Sequence, residues 1–162
     1  MRKHLLLLVP VVLFLAACEG APYPVSKAGE VPVRADVPGY WFMVDEDGEE
    51  VTLELYAFND AEYVGYMSGD EDDESMLVRV FESPVGGVDI ANVRCLNCDP
   101  DEGYMFGLVI ADDRTLSVQW VSDDFYEEVE DASSSEQVRA ALEADLDGWL
   151  TGETWIWTRG ES

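Results

Sequence analysis

Histidine is almost missing from this chain. The single one, His4, sits beside the N-terminus. Beyond it there is no histidine general base, no Ser-His-Asp or Cys-His nucleophile pair and no histidine metal ligand. Cations are scarce too: nine lysines and arginines face 35 acids, for a formal net charge of −26. Such a surface repels nucleic acid and anionic lipid headgroups, so neither is expected as a charge-driven partner. The longest apolar run, residues 5–17, is interrupted by Pro10 and falls short of the roughly 20 residues that span a bilayer. Cysteine is limited to Cys18, Cys95 and Cys98, and a lone CxxC is a weak zinc signal because structural zinc takes four ligands. Carboxylate pairs and cysteines are all that remain for catalysis. The expectation is a non-enzymatic protein with no cofactor and no metal.

What is present begins with Arg2-Lys3-His4, the apolar run and small residues before a cysteine. A basic start, a short apolar stretch and small residues at a cut point form a secretory signal. Leu15-Ala16-Ala17-Cys18 resembles the lipobox of bacterial lipoproteins. That resemblance implies a signal peptide over 1–17, cleavage before Cys18 and acylation of Cys18. Two or more acyl chains hold a protein stably at a membrane, where one does not. Glu19 is not the aspartate that commonly signals inner-membrane retention in that family. A Gram-negative host would therefore place the protein on the outer membrane, facing the periplasm. An ordinary signal peptide, leaving Cys18 as a free thiol, is the alternative. Loss of Arg2 and Lys3 takes the net charge to −28, a strongly hydrated acidic surface of the kind that suits salty surroundings.

Residues 18–38 carry four prolines and few large apolar side chains. They read as a lipidated, semi-extended tether, at about 3 Å per residue, before a single domain over 39–162. Strands are expected over 40–44, 51–57, 62–67, 76–81, 88–96, 104–110 and 116–120, with a break at Ser83-Pro84-Val85-Gly86-Gly87. Val51, Leu53 and Leu55 alternate with Thr52, Glu54 and Tyr56, and Leu116, Val118 and Trp120 alternate with Ser117 and Gln119, each giving one buried and one wet face. Then the period changes. Ser133 and Glu136 form a capping-box pattern, and Val138, Leu142, Leu146 and Trp149 share one helical face, with Gly148 as a stop signal. Trp155-Ile156-Trp157 reads as a last strand. The fold class is mainly β with some helix: an antiparallel meander closing into a small barrel or sandwich, with one C-terminal amphipathic helix and a final strand.

Cys95 and Cys98 remain as an even pair in an oxidising compartment, and Asp99, Asp101 and Glu102 follow at once. Those charges disfavour a reactive thiolate. A structural disulfide is the first reading, and thiol-redox exchange or soft-metal handling the second. The acidic runs 45–50, 70–74, 99–102 and 123–128 do not follow the spacing of a calcium loop and read as solvated turns. Abundant aromatics serve a packed core or an apolar ligand cavity equally well. Gly39-Tyr40-Trp41 resembles the G-x-W that opens the first strand of lipocalins. The resemblance implies a barrel that carries a small apolar ligand, with Trp41, Phe106 and Trp120 as candidate cavity residues and Arg159 as the late arginine packed across the first-strand tryptophan. The family's arginine precedes the helix, whereas Arg159 follows it. Two partners stay open for this binding module: an envelope protein and a small apolar ligand.

Overall fold

The computed structural model describes residues 20–45, 48–69, 75–99 and 101–161. The expected signal peptide over 1–17, the lipobox-like stretch with Cys18, Glu19 and the acidic run 70–74 lie outside the described residues. Eight strands form one closed antiparallel barrel in simple sequential order: β1 (Gly39–Val44), β2 (Glu50–Ala57), β3 (Tyr63–Ser68), β4 (Met76–Val85), β5 (Val88–Cys95), β6 (Met105–Ala111), β7 (Thr115–Trp120) and β8 (Thr154–Arg159). The barrel closes where β8 pairs with β1, setting Trp41 opposite Arg159 and Phe42 opposite Thr158. Closure leaves no sheet edge exposed to template pairing with another chain. Each strand alternates as its sequence does, so Leu53, Leu55, Val78, Val80, Leu116 and Val118 all face inward.

Between β7 and β8 the chain makes a helical layer: α1 (Asp123–Val129), α2 (Ser135–Ala144) and α3 (Leu146–Trp149). α2 starts at Ser134, whose side chain accepts the Gln137 N–H, while Gln137 Oε1 accepts the Ser133 N–H at 2.7 Å. The cap sits one residue later than the Ser133 and Glu136 pattern, and Gln137 reaches past the N-cap residue to Ser133, so it is not a reciprocal box. The expected single helix through Trp149 is cut at Asp145 (φ −152°, ψ 59°), whose carboxylate accepts the Gly148 N–H and opens α3. Gly148 lies inside α3 rather than stopping a helix. α1 was not expected. It is short and acidic, but Phe125, Tyr126 and Val129 are buried together on one side.

The break expected at 83–87 shrinks to the Gly86-Gly87 turn, where both φ values are positive (57° and 90°), as a two-residue hairpin turn of this kind requires. β4 runs straight through Pro84. β3 pairs with β4 only from Met76 to Val80, so the missing N–H of Pro84 costs no ladder bond on that side.

Residues 20–38 are not a free tether in the described part. Ala21 bridges to Tyr104, Val25 donates its N–H to Asn92 Oδ1 at 2.7 Å, and Ser26 donates to Ser83 Oγ at 2.7 Å. Ala21, Val25 and Val37 are buried. Proline richness suits an extended strap as well as it suits a loose one; small apolar residues between the prolines decide the matter by packing.

Two apolar cores result. An outer one, between the helical layer, the N-terminal strap and the outer faces of β4, β5 and β6, holds Phe81, Val85, Ile90, Phe106, Phe125 and Leu142 among others. The inner one, inside the barrel, contains Trp41, Leu53, Leu55, Tyr63, Leu116 and Trp157.

Candidate functional site

The barrel interior is not filled. Inward side chains enclose a cavity of about 110 Å³, lined almost wholly by apolar groups. Strand direction sorts its ends. Met67, Met76, Cys95, Met105, Trp120 and Trp155 lie at the ends of strands that lead toward the helical layer and the β5–β6 loop. Gly20 and Gly103 complete that rim. At the opposite end lie Val37, Tyr63 and Glu82.

This second end is closed by the strap and a plug. Val33 donates its N–H to Asp60 O, and Arg34 donates its N–H to the Tyr63 hydroxyl. Trp41, fully buried, donates its indole N–H to Val37 O at 3.0 Å. The Arg159 guanidinium lies 4.1 Å from the Trp41 ring centroid and donates to Asp36 O at 2.7 Å and Pro38 O at 3.1 Å. Gly39 makes room for it: a Cβ there would stand 2.5 Å from Arg159 Nη1. The residues of the G-x-W stretch and the late arginine thus meet. Arg159 follows the helices because the helical layer is inserted before the final barrel strand.

Glu82 is the one carboxylate deep in the inner face among the described residues, at 3 % exposure. Its Oε1 stands 3.9 Å from Arg34 Nη2, a charge neighbour beyond hydrogen-bond reach. Glu82 Oε2, Arg34 Nε and Arg34 Nη2 are buried without a hydrogen-bond partner among the described residues. Burial pushes the Glu82 carboxyl above its ordinary range; Arg34 opposes the rise, and Asp89 and Asp36 add to it. Tyr63 is likewise raised, first by burial.

A second recess, about 310 Å³, opens beside the rim. It shares Met105, Trp120 and Trp155 with the cavity and is edged by Asp123, Asp124 and Glu153. Trp120 and Trp155 meet edge to face with ring centroids 5.2 Å apart, and the buried Trp120 indole N–H has no partner among the described residues.

Of the three candidate cavity residues, only Trp120 lines the cavity. Trp41 serves the plug below it. Phe106 points outward and packs on Phe125 and Tyr126 at 6.1 Å from each. The sulfurs of Cys95 and Cys98 lie within bonding distance, with Cα atoms 5.5 Å apart. Glu102 brings a carboxylate oxygen within 4.8 Å of them, but sulfurs bonded to each other are not thiolate ligands. Sequence reasoning missed Glu82 and Arg34. A signal for Glu82 existed: it continues the inward parity of Met76, Val78 and Val80, where a charge is out of place.

No protein-family model, curated protein or solved structure matches the chain.

Proposed function

We propose that this protein is a lipocalin-like, non-enzymatic barrel that binds a small apolar molecule and is held to a membrane, outside the cytoplasm, by acyl chains on Cys18. The observation that carries the binding reading is the apolar cavity inside a closed eight-stranded barrel, the size at which a barrel interior either fills with side chains or holds one small ligand. No helix among the described residues is long and apolar enough to cross a membrane, so the anchor in this reading is the lipid. Gly20 forms part of the cavity rim, and two residues of chain reach at most about 7 Å. An acylated Cys18 would therefore hold the rim close to the bilayer, the reservoir of apolar molecules.

Two measurements test the reading. Titration with toluene, followed by tryptophan fluorescence, is expected to perturb Trp120, Trp155 and Trp157, which line the cavity; a flat response would sink the carrier reading. Intact mass of protein from its native host is expected to show loss of residues 1–17 and an added acyl load. An unprocessed, unacylated chain would sink the address. The same spectrum, taken with and without reductant, reports whether Cys95 and Cys98 form the proposed staple.

A further inference from the structure

The cavity is apolar, yet it carries one feature that packing does not explain. Glu82 is almost wholly buried at its floor, with Oε2 lacking any hydrogen-bond partner among the described residues. A buried carboxylate left in that state is costly, and the nearby Arg34 stands too far to hydrogen-bond it. At the other end, the recess beside the rim is edged by Asp123, Asp124 and Glu153, and its wall is the Trp120–Trp155 pair. Neither the cavity nor the recess has a lysine or arginine among its described lining residues. The whole chain carries a large negative charge.

From this juxtaposition we infer that the ligand is a compact apolar molecule bearing one ammonium group, its cation held by Glu82 and its body by the apolar wall. The inference rests on the barrel interior being a ligand site.

Each part of the chemistry points the same way. A negative protein field concentrates cations and turns anions away, which disfavours fatty acids and other carboxylates. An ammonium donates a charge-assisted hydrogen bond to a carboxylate, roughly twice the strength of a neutral one. Tryptophan faces at the rim attract a passing cation. A bare metal ion is a poor fit, because hard cations take six or more oxygen ligands, and beside Glu82 the described wall offers only the Tyr63 hydroxyl, with Glu102 at the opposite rim. Size limits the body: an apolar cavity of about 150 Å³ takes a benzene ring, and this one is of that order. Arg34 is the competitor, and a bound ammonium takes its place as the neighbour of Glu82.

The test compares benzylamine, benzyl alcohol and toluene by titration of the purified protein at neutral pH, with Glu82→Gln alongside. Benzylamine is expected to bind at least about tenfold more tightly than toluene, as a charged hydrogen bond warrants. Glu82→Gln is expected to erase that preference while toluene affinity stays within about twofold, which also shows that the variant is folded. Toluene binding as well as benzylamine to the unaltered protein would overturn the ligand class and leave the carrier reading standing. Failure of all three probes would overturn the carrier reading, and this inference with it. If Glu82→Gln does not fold, Arg34→Met decides: removal of the competing cation is expected to enlarge the amine preference, and an unchanged preference overturns the proposal.

Discussion

On the outer face of β4 and β5, Asn92 is fully buried and every one of its polar atoms is used. It accepts the Val25 N–H and donates to Ser83 Oγ at 2.8 Å and to the Phe81 and Ile90 carbonyls. On the inner face of β4, Glu82 is as deeply buried and its Oε2 has no partner among the described residues. Ser83, the next residue, belongs to the satisfied side. The two faces of one strand thus follow different rules. Outside, polar groups are paired and aromatic rings from α1 fill the space, as stable packing demands. Inside, space and an unpaired carboxylate are both retained, which folding alone would not favour. Packing is thus fuller outside the barrel and in the plug, and the interior keeps a cavity.

The largest test of that contrast is Phe125→Ala, which removes the ring wedged among Phe106, Tyr126 and Trp149. Urea unfolding is expected to show a loss of about 3–5 kcal/mol. Val80→Leu, which fills the cavity instead, is expected to change stability by less than about 1.5 kcal/mol while weakening probe binding. If the two substitutions cost alike, the contrast fails.

Arg159→Met comes next. It removes two charge-assisted hydrogen bonds to strap carbonyls and the stacking on Trp41, with an expected loss of about 2–3 kcal/mol. Hydrogen exchange should quicken at the Trp41 indole N–H, which bonds to Val37 O. A loss without that change would place the role of Arg159 outside the plug.

Asn92→Ala strands the Val25 N–H and removes one of two donors to Ser83 Oγ, leaving that from Ser26. We expect a cost of about 1–3 kcal/mol and faster amide exchange at Val25 and Ala21. Unaltered exchange there would mean that the strap is held by its apolar residues alone.

The smallest effect concerns pH. The carboxyl of Glu82 is raised in the folded state, chiefly by burial. Its contribution to stability is therefore complete below the ordinary carboxylate range and is lost as pH rises through the raised value. Glu82→Gln is expected to be more stable than the unaltered protein at neutral pH, and the gain should vanish near pH 4. A gain that grows on acidification would show that Arg34, not burial, governs this group.

Much of the barrel was legible in the residues. Alternation placed Leu53, Leu55, Leu116 and Val118 inward before any coordinates, since a strand's side chains have a period of two and only one face can be buried apolar. The lipocalin resemblance implied that Arg159 packs across Trp41, and the two meet, but in the plug and not in the cavity wall where Trp41 was expected. Three things were not legible. α1 has too few residues for a helical period to show. The strap of residues 20–38 has the composition of a linker and is held by long-range contacts. Phe106 looked like a cavity residue because parity within one strand does not say which face turns inward when both faces are apolar; β6 carries helices on its outer side.

Chain chemistry alone determined an acidic, histidine-poor protein with short alternating strands and a capped helix. These properties are local, set by composition and by periods a few residues long. Tertiary structure alone decided that the strands close into a barrel, that the helices cover β4–β6 from outside, and that Glu82 and Arg34 share its floor. Those outcomes depend on residues far apart in the chain arriving at one place, and no local period encodes which distant faces will meet.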